Sequence, residues 1–152
     1  MKLLRYGMSA TGASGGNEKP GMLDDSGVLR DLSGMVSDIA GETLLPENIE
    51  RLRNTDPATL PEVEGNPRLG PCVGQIGKFI CIGLNYSDHA KEAGLSVPPE
   101  PIIFTKYTSA ICGANDDVII PRNSVKTDWE VELGVVIGKP AKYVDEKSAL
   151  DH

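Results

Sequence analysis

Cysteine is sparse and poorly placed for building a site. Cys72, Cys81 and Cys112 form no C-x-x-C pair, which argues against a structural zinc. Their odd number suits a reducing compartment, so a cytoplasmic protein is expected. Cys81 and Cys112 lie in apolar stretches and read as small core residues, and none of the three stands beside an activating base. No apolar run approaches the roughly 20 residues of a membrane span. The opening Met1-Lys2-Leu3-Leu4-Arg5-Tyr6-Gly7 is too short and too soon interrupted for a signal peptide. Basic residues are outnumbered: 15 Lys and Arg against 22 Asp and Glu leave a formal net charge of −7. That balance disfavours a nucleic-acid backbone or an anionic membrane as partner. Neither G-x-G-x-x-G nor a P-loop occurs, so nothing supports a nucleotide fold. There is no internal repeat and no heptad.

What is present divides near the middle. The length of 152 residues suits one domain, or a small domain with part of a larger one. A short apolar strand at the start is followed by Ser9-Ala10-Thr11-Gly12-Ala13-Ser14-Gly15-Gly16-Asn17, which has the composition of a loop. Residues 22–32 suggest a β-hairpin turning at Asp25-Ser26-Gly27. Pro46-Glu47-Asn48-Ile49-Glu50-Arg51-Leu52 suggests a short helix with proline in its first turn. Residues 54–74, rich in Pro, Gly and Asn, read as a linker or an irregular edge segment. Beyond them, 78–83, 102–104, 118–120 and 130–137 are strand candidates, with one short helix after the first of them. A further helix begins at Asp145-Glu146-Lys147-Ser148-Ala149-Leu150. With no C-terminal cap and a sheet edge left open, more protein is expected to follow His152. The fold class expected is α+β, mainly β, with a small β-rich domain at 1–72 and a second domain beginning at 73–152.

The stretch Asp128-Trp129-Glu130-Val131-Glu132-Leu133-Gly134-Val135-Val136-Ile137-Gly138 carries the most chemistry. In an extended strand, residues two apart share a face. Val131, Leu133, Val135 and Ile137 then make a core face, while Glu130 and Glu132 stand side by side on the other. Two such carboxylates repel unless something positive lies between them. A hard divalent cation, Mg²⁺ or Mn²⁺, prefers carboxylate oxygens. The alternative is a strand with one solvated, acidic face. Trp129 reads as core or pocket wall.

A second cluster leaves the strand at 78–83: Gly83-Leu84-Asn85-Tyr86-Ser87-Asp88-His89-Ala90-Lys91-Glu92-Ala93-Gly94. Ser87 or Asp88 can cap a short helix and Gly94 can end it. His89 and Glu92, three apart, share a face one turn apart. A carboxylate beside an imidazole orients it and raises its basicity, which suits a general base acting on water. A surface helix with a weak His–Glu pair is the other reading. Tyr86 reads as packing. Lys106, after the apolar 101–105, can hold a substrate carboxylate or an oxyanion, or snorkel to solvent.

Taken in order, these stretches resemble the fumarylacetoacetate hydrolase family. The resemblance rests on residues 78–92 (KFICIGLNYSDHAKE), 101–106 (PIIFTK), 113–121 (GANDDVIIP) and 128–138, and covers about residues 70–152. Residues 18–21 and 30–34 are similar to the small leading domain of some members. Bacterial ureidoglycolate lyases and 2,4-diketo-3-deoxy-sugar-acid hydrolases of the family are the nearest in pattern. The resemblance implies a mixed β-sandwich-like roll, a homodimer, and Mg²⁺ or Mn²⁺ held by three carboxylates. It assigns Glu130 and Glu132 as two ligands and puts the third, an aspartate, some thirty residues further on. It assigns His89 and Glu92 as a water-activating pair and Lys106 as a substrate contact. The activity implied is hydrolysis of a C–C bond in an acylpyruvate-type 2,4-dioxo acid. Ureidoglycolate cleavage, or another lyase, decarboxylase or hydratase reaction on an oxo acid, would use the same site. A catalytically inert fragment is the reading outside enzymology.

Overall fold

The computed structural model describes residues 1–8 and 17–152; the loop expected at 9–16 lies outside them. Three short strands make the first sheet. Lys2–Tyr6 (β1) pairs antiparallel with Lys19–Leu23 (β2), from Lys2↔Leu23 to Tyr6↔Lys19. β2 pairs antiparallel with Leu29–Asp31 (β3), and the order is β1-β2-β3. The expected hairpin is thus present, and Asp24 organises its turn. One carboxylate oxygen of Asp24 accepts from the Ser26 amide, the Ser26 hydroxyl and the Val28 amide at 2.6–2.9 Å. The other oxygen accepts from Arg30. These donors, Ser26 first, hold the carboxyl of Asp24 below the usual range. Gly27 takes φ +86° to close the turn.

The expected helix is Pro46–Arg53 (α1). Proline occupies its first position, Glu47 sits near its N-terminus and Arg51 and Arg53 near its C-terminus, each suited to the dipole. α1 buries Leu52 completely, in a core with Met22, Leu32, Val36 and Ile39. Aliphatic burial of this kind stabilises by about 1.5–3 kcal/mol per side chain. Two single bridges, Tyr6↔Leu69 and Arg30↔Glu62, lay residues 62–69 along both outer strands of the sheet. The irregular segment therefore shields edges that would otherwise be open to other chains.

The second half is a hairpin with a helix between its strands. Ile80–Gly83 (β4) pairs antiparallel with Ile102–Thr105 (β5), and Ser87–Glu92 (α2) lies between them in sequence. Two further strand expectations fail. Residues 118–120 and 130–137 lie in no strand. A strand exists through its pairing, and no ladder partner stands beside either segment among the described residues. The core face expected on the second is exposed: Val131 is 83% accessible and Leu133 81%. Trp129 and Cys112 are exposed too, and Cys81 is only half-buried. The helix expected from Asp145 is reduced to the 3₁₀ turn Ala149–Asp151. Asp145 accepts from the Ser148 amide and hydroxyl at 2.9 and 2.8 Å, a local closure that competes with helix.

A buried ionic chain joins the two halves. Asp38 accepts from Arg5 Nε at 2.6 Å, and Arg5 Nη1 lies 2.6 Å from Glu18, a contact too bent to count as a hydrogen bond. Glu18 also accepts from Arg68 Nη1 at 2.6 Å, and Arg68 grips Asp116 with both Nε and Nη2. Arg5 and the side chain of Glu18 are almost wholly buried. The Arg68 guanidinium, with the Gly113 amide, holds the Asp116 carboxyl below its ordinary range, and Asp116 and Glu18 hold Arg68 above its own. Glycine is required at three points along this chain. A Cβ at Gly70 would strike the Glu18 carboxylate, one at Gly74 the Asp38 carboxylate, and one at Gly113 the Leu69 carbonyl.

Candidate active site

The short helix is placed by the strand that precedes it. From β4 the chain passes through Leu84 at φ +50° and reaches Tyr86, extended at φ −116° and ψ 130°. Tyr86, not Ser87 or Asp88, is the N-cap, and no side chain caps the helix. Asp88 instead lies in the first turn, where its charge favours the positive end. Ala90 is buried, while His89 and Glu92 are exposed. Ala93 N donates to His89 O at 3.0 Å, and Gly94 at φ +69° ends the helix as expected.

The acidic segment meets this helix at one point. Leu133 N donates to the Tyr86 hydroxyl at 2.8 Å. That bond ties the backbone one residue after Glu132 to the hydroxyl of the residue that begins the helix of His89 and Glu92. Glu130 and Glu132 are exposed, and neither enters an ion pair among the described residues. Their oxygens are therefore free for a hard cation. Among the described residues no group of three or more metal-capable side chains forms, and with residues 130–137 outside any strand the two carboxylates are not held on one strand face.

Lys106 stands elsewhere. Its amide donates to Phe79 O at 3.0 Å and so continues the β4–β5 ladder by one pair. α2 leaves from the Gly83 end of β4, four residue steps away, or about 13 Å along the strand. The structure thus links the N-cap of the His89–Glu92 helix to the segment of Glu132 by one hydrogen bond and sets the Lys106 backbone at the other end of the hairpin. Sequence reasoning missed Tyr86, read as packing, because 47 residues separate the two ends of its bond. It also missed Arg5, Glu18, Arg68 and Asp116. Glu18 and Asp116 fall in stretches that carry the resemblance, but no local spacing marks an ion pair that distant in sequence.

Comparison with known proteins decides the family. Residues 78–152 match the family model described as "Fumarylacetoacetate (FAA) hydrolase C-terminal". Over these residues the chain belongs to the fumarylacetoacetate hydrolase family. Relatives named "Putative hydrolase" from Burkholderia multivorans and Burkholderia ambifaria are each 62% identical across the whole of this chain. The chain spans about half the length, 52%, of these curated relatives. Among solved structures, the crystal structure of a "putative HpcE protein" from Mycobacterium smegmatis matches with a TM-score of 0.56 and 24% identity. The match covers 79% of this chain and 41% of that one. It shows the fold: α+β, mainly β, as expected for the fumarylacetoacetate hydrolase family. No helix among the described residues is long and apolar enough to cross a membrane.

Proposed function

We propose that this chain contributes to a metal-dependent hydrolase that cleaves a C–C bond in an acylpyruvate-type 2,4-dioxo acid. Residues 1–72 would form its small leading domain and residues 73–152 the first part of its catalytic domain. The working assembly would be a cytoplasmic homodimer acting on a small oxo acid, with no nucleic-acid or membrane partner. One observation supports the reading: the hydroxyl of Tyr86, the N-cap of the helix of His89 and Glu92, accepts from Leu133 N, next to Glu132, within the stretch that matches the family.

Glu130 and Glu132, exposed and without an ion-pair partner among the described residues, would fill two places in the coordination of Mg²⁺ or Mn²⁺. Such an ion supplies Lewis acidity toward a 2-oxo carboxylate. His89 and Glu92 form no ion pair among the described residues; in the working site the Glu92 carboxylate would orient the His89 imidazole, whose ring nitrogen would take a proton from water. The hydroxide so formed adds to the distal carbonyl. The C–C bond to the pyruvate unit then breaks, and that carbon regains a proton, leaving a carboxylic acid and pyruvate. Lys106 would hold developing negative charge at Nζ on a part of the substrate that extends toward its end of the hairpin.

Ureidoglycolate cleavage, or another oxo-acid lyase, decarboxylase or hydratase reaction, would use the same residues. Isothermal titration of the chain with Mn²⁺ tests the ligand pair. One-site binding lost in Glu130→Gln and Glu132→Gln supports it. Absence of binding, or binding indifferent to both changes, favours the inert-fragment reading. Incubating a chain of the relatives' full length with Mg²⁺ and a panel of oxo acids separates the reactions by product: pyruvate plus an acid, or glyoxylate plus urea.

A further inference from the structure

Tyr86 makes two connections at once. Its carbonyl accepts from Ala90 N at 3.1 Å, which is the first turn of α2. Its hydroxyl accepts from Leu133 N at 2.8 Å. Among the described residues this is the one hydrogen bond between the α2 turn and residues 128–137. Residues 130–137 have no strand pairing, and the side chains that flank Glu132, Val131 and Leu133, are exposed. Among the described residues neither a ladder nor packing ties Glu132 to the helix of His89, and this bond is the link that remains. The group is suited to that task. A phenol carries its hydroxyl on a rigid ring with few rotatable bonds, and its oxygen has lone pairs to receive a backbone N–H.

We propose that Tyr86 is a positioning residue: its hydroxyl latches the backbone at Leu133 and so sets the separation between the helix of His89 and Glu92 and the acidic pair. The latch touches neither substrate nor metal and acts through the elements it joins. Its functional meaning rests on the reading of Glu130 and Glu132 as metal ligands.

The test uses ¹⁵N-labelled chain of 152 residues, the Tyr86→Phe variant, which keeps the ring and loses the hydroxyl, and Leu133→Pro, which removes the donor. In the unmodified chain a nuclear Overhauser contact joins the Tyr86 ring to the Leu133 amide. In Tyr86→Phe the Leu133 amide exchanges about fivefold faster, the factor a mid-range hydrogen bond gives. With Mn²⁺ added, the amides of His89 to Glu92 broaden in the unmodified chain and several-fold less in both variants. Broadening at Glu130 and Glu132 persists, and Ala90 keeps its protection, which separates positioning from support of the helix itself. Unchanged Leu133 exchange together with unchanged broadening on α2 in Tyr86→Phe overturns the latch. Absence of the Overhauser contact in the unmodified chain overturns it as well, and needs no variant to fold. If Mn²⁺ broadens nothing at Glu130 and Glu132, the metal reading falls alone, and the contact and the Leu133 exchange still decide the latch.

Discussion

Glu18→Gln is the sharpest perturbation of the ionic chain. The Glu18 side chain is 3% exposed and lies 2.6 Å from a guanidinium nitrogen of Arg5 on one side and of Arg68 on the other. Arg5 is itself 2% exposed, so water cannot take over the lost role. The chain holds two cations and three anions, and the amide leaves two of each while removing the anion that both arginines share. Breaking a buried charge pair from one side costs about 3–5 kcal/mol. Glutamine keeps a carbonyl acceptor of the same shape, which places the expected loss near the lower end, about 3 kcal/mol. For a chain of this size that is roughly 6–12 °C in Tm. Urea denaturation followed by circular dichroism measures the loss. Amide exchange at Gly113–Asp116 should quicken in the same variant, because Arg68 loses the anion that ties it to the N-terminal sheet. A loss below about 1 kcal/mol, the range of an exposed ion pair, would refute the buried-network argument.

Three other outcomes follow from the same structure. Leu52→Ala, at a completely buried position on α1, should cost about 2–5 kcal/mol, read as a lower urea midpoint with an unchanged m-value. Burial, aided by the Asp31 carboxylate, pushes the Tyr6 phenol up to about 12. Its neutral form is thus favoured in the fold, so its contribution is whole below pH 10 and lost as pH rises from about 10 toward 12; spectrophotometric titration should show a high-pH phenol that Tyr6→Phe removes. Asp116, held low by Arg68, contributes above the ordinary carboxylate range and loses that contribution as pH falls through its folded value. Asp116→Asn should therefore flatten the acid limb of a stability–pH curve.

Local features were readable wherever chemistry and neighbour order coincide. Pro46 and Glu47 mark the start of α1, Gly94 marks the end of α2, and the Asp-Ser-Gly turn closes β2 onto β3. The strands at 80–83 and 102–105 also follow from short apolar runs. Reading failed where a feature depends on a distant partner. The alternation at 130–137 has the period of a strand, but period only prepares pairing; without a neighbouring ladder the backbone stays irregular. Helix start signals at Asp145 were outbid by the Asp145 side chain taking the Ser148 amide. The ion chain and the Tyr86–Leu133 bond were invisible because their members lie tens of residues apart and obey no spacing rule. Within the candidate region, the short helix of His89 and Glu92 was legible, whereas the strand expected around Glu130 and Glu132 and the Tyr86 link to Leu133 were not.

The buried aliphatic cluster draws every member from residues 22–52, while the side chains with chemistry stand in the other half. Heating this protein therefore reports on the sheet and α1, and a ligand gripped by Glu130 or Glu132 would shift that melting curve only as far as the links between the halves transmit it, among them the Arg68–Asp116 pair and the close approach of Gly138 to the Leu44 carbonyl. Ligand searches are better read by signals from the second half itself, such as the fluorescence of Trp129, which sits directly beside Glu130 and faces water.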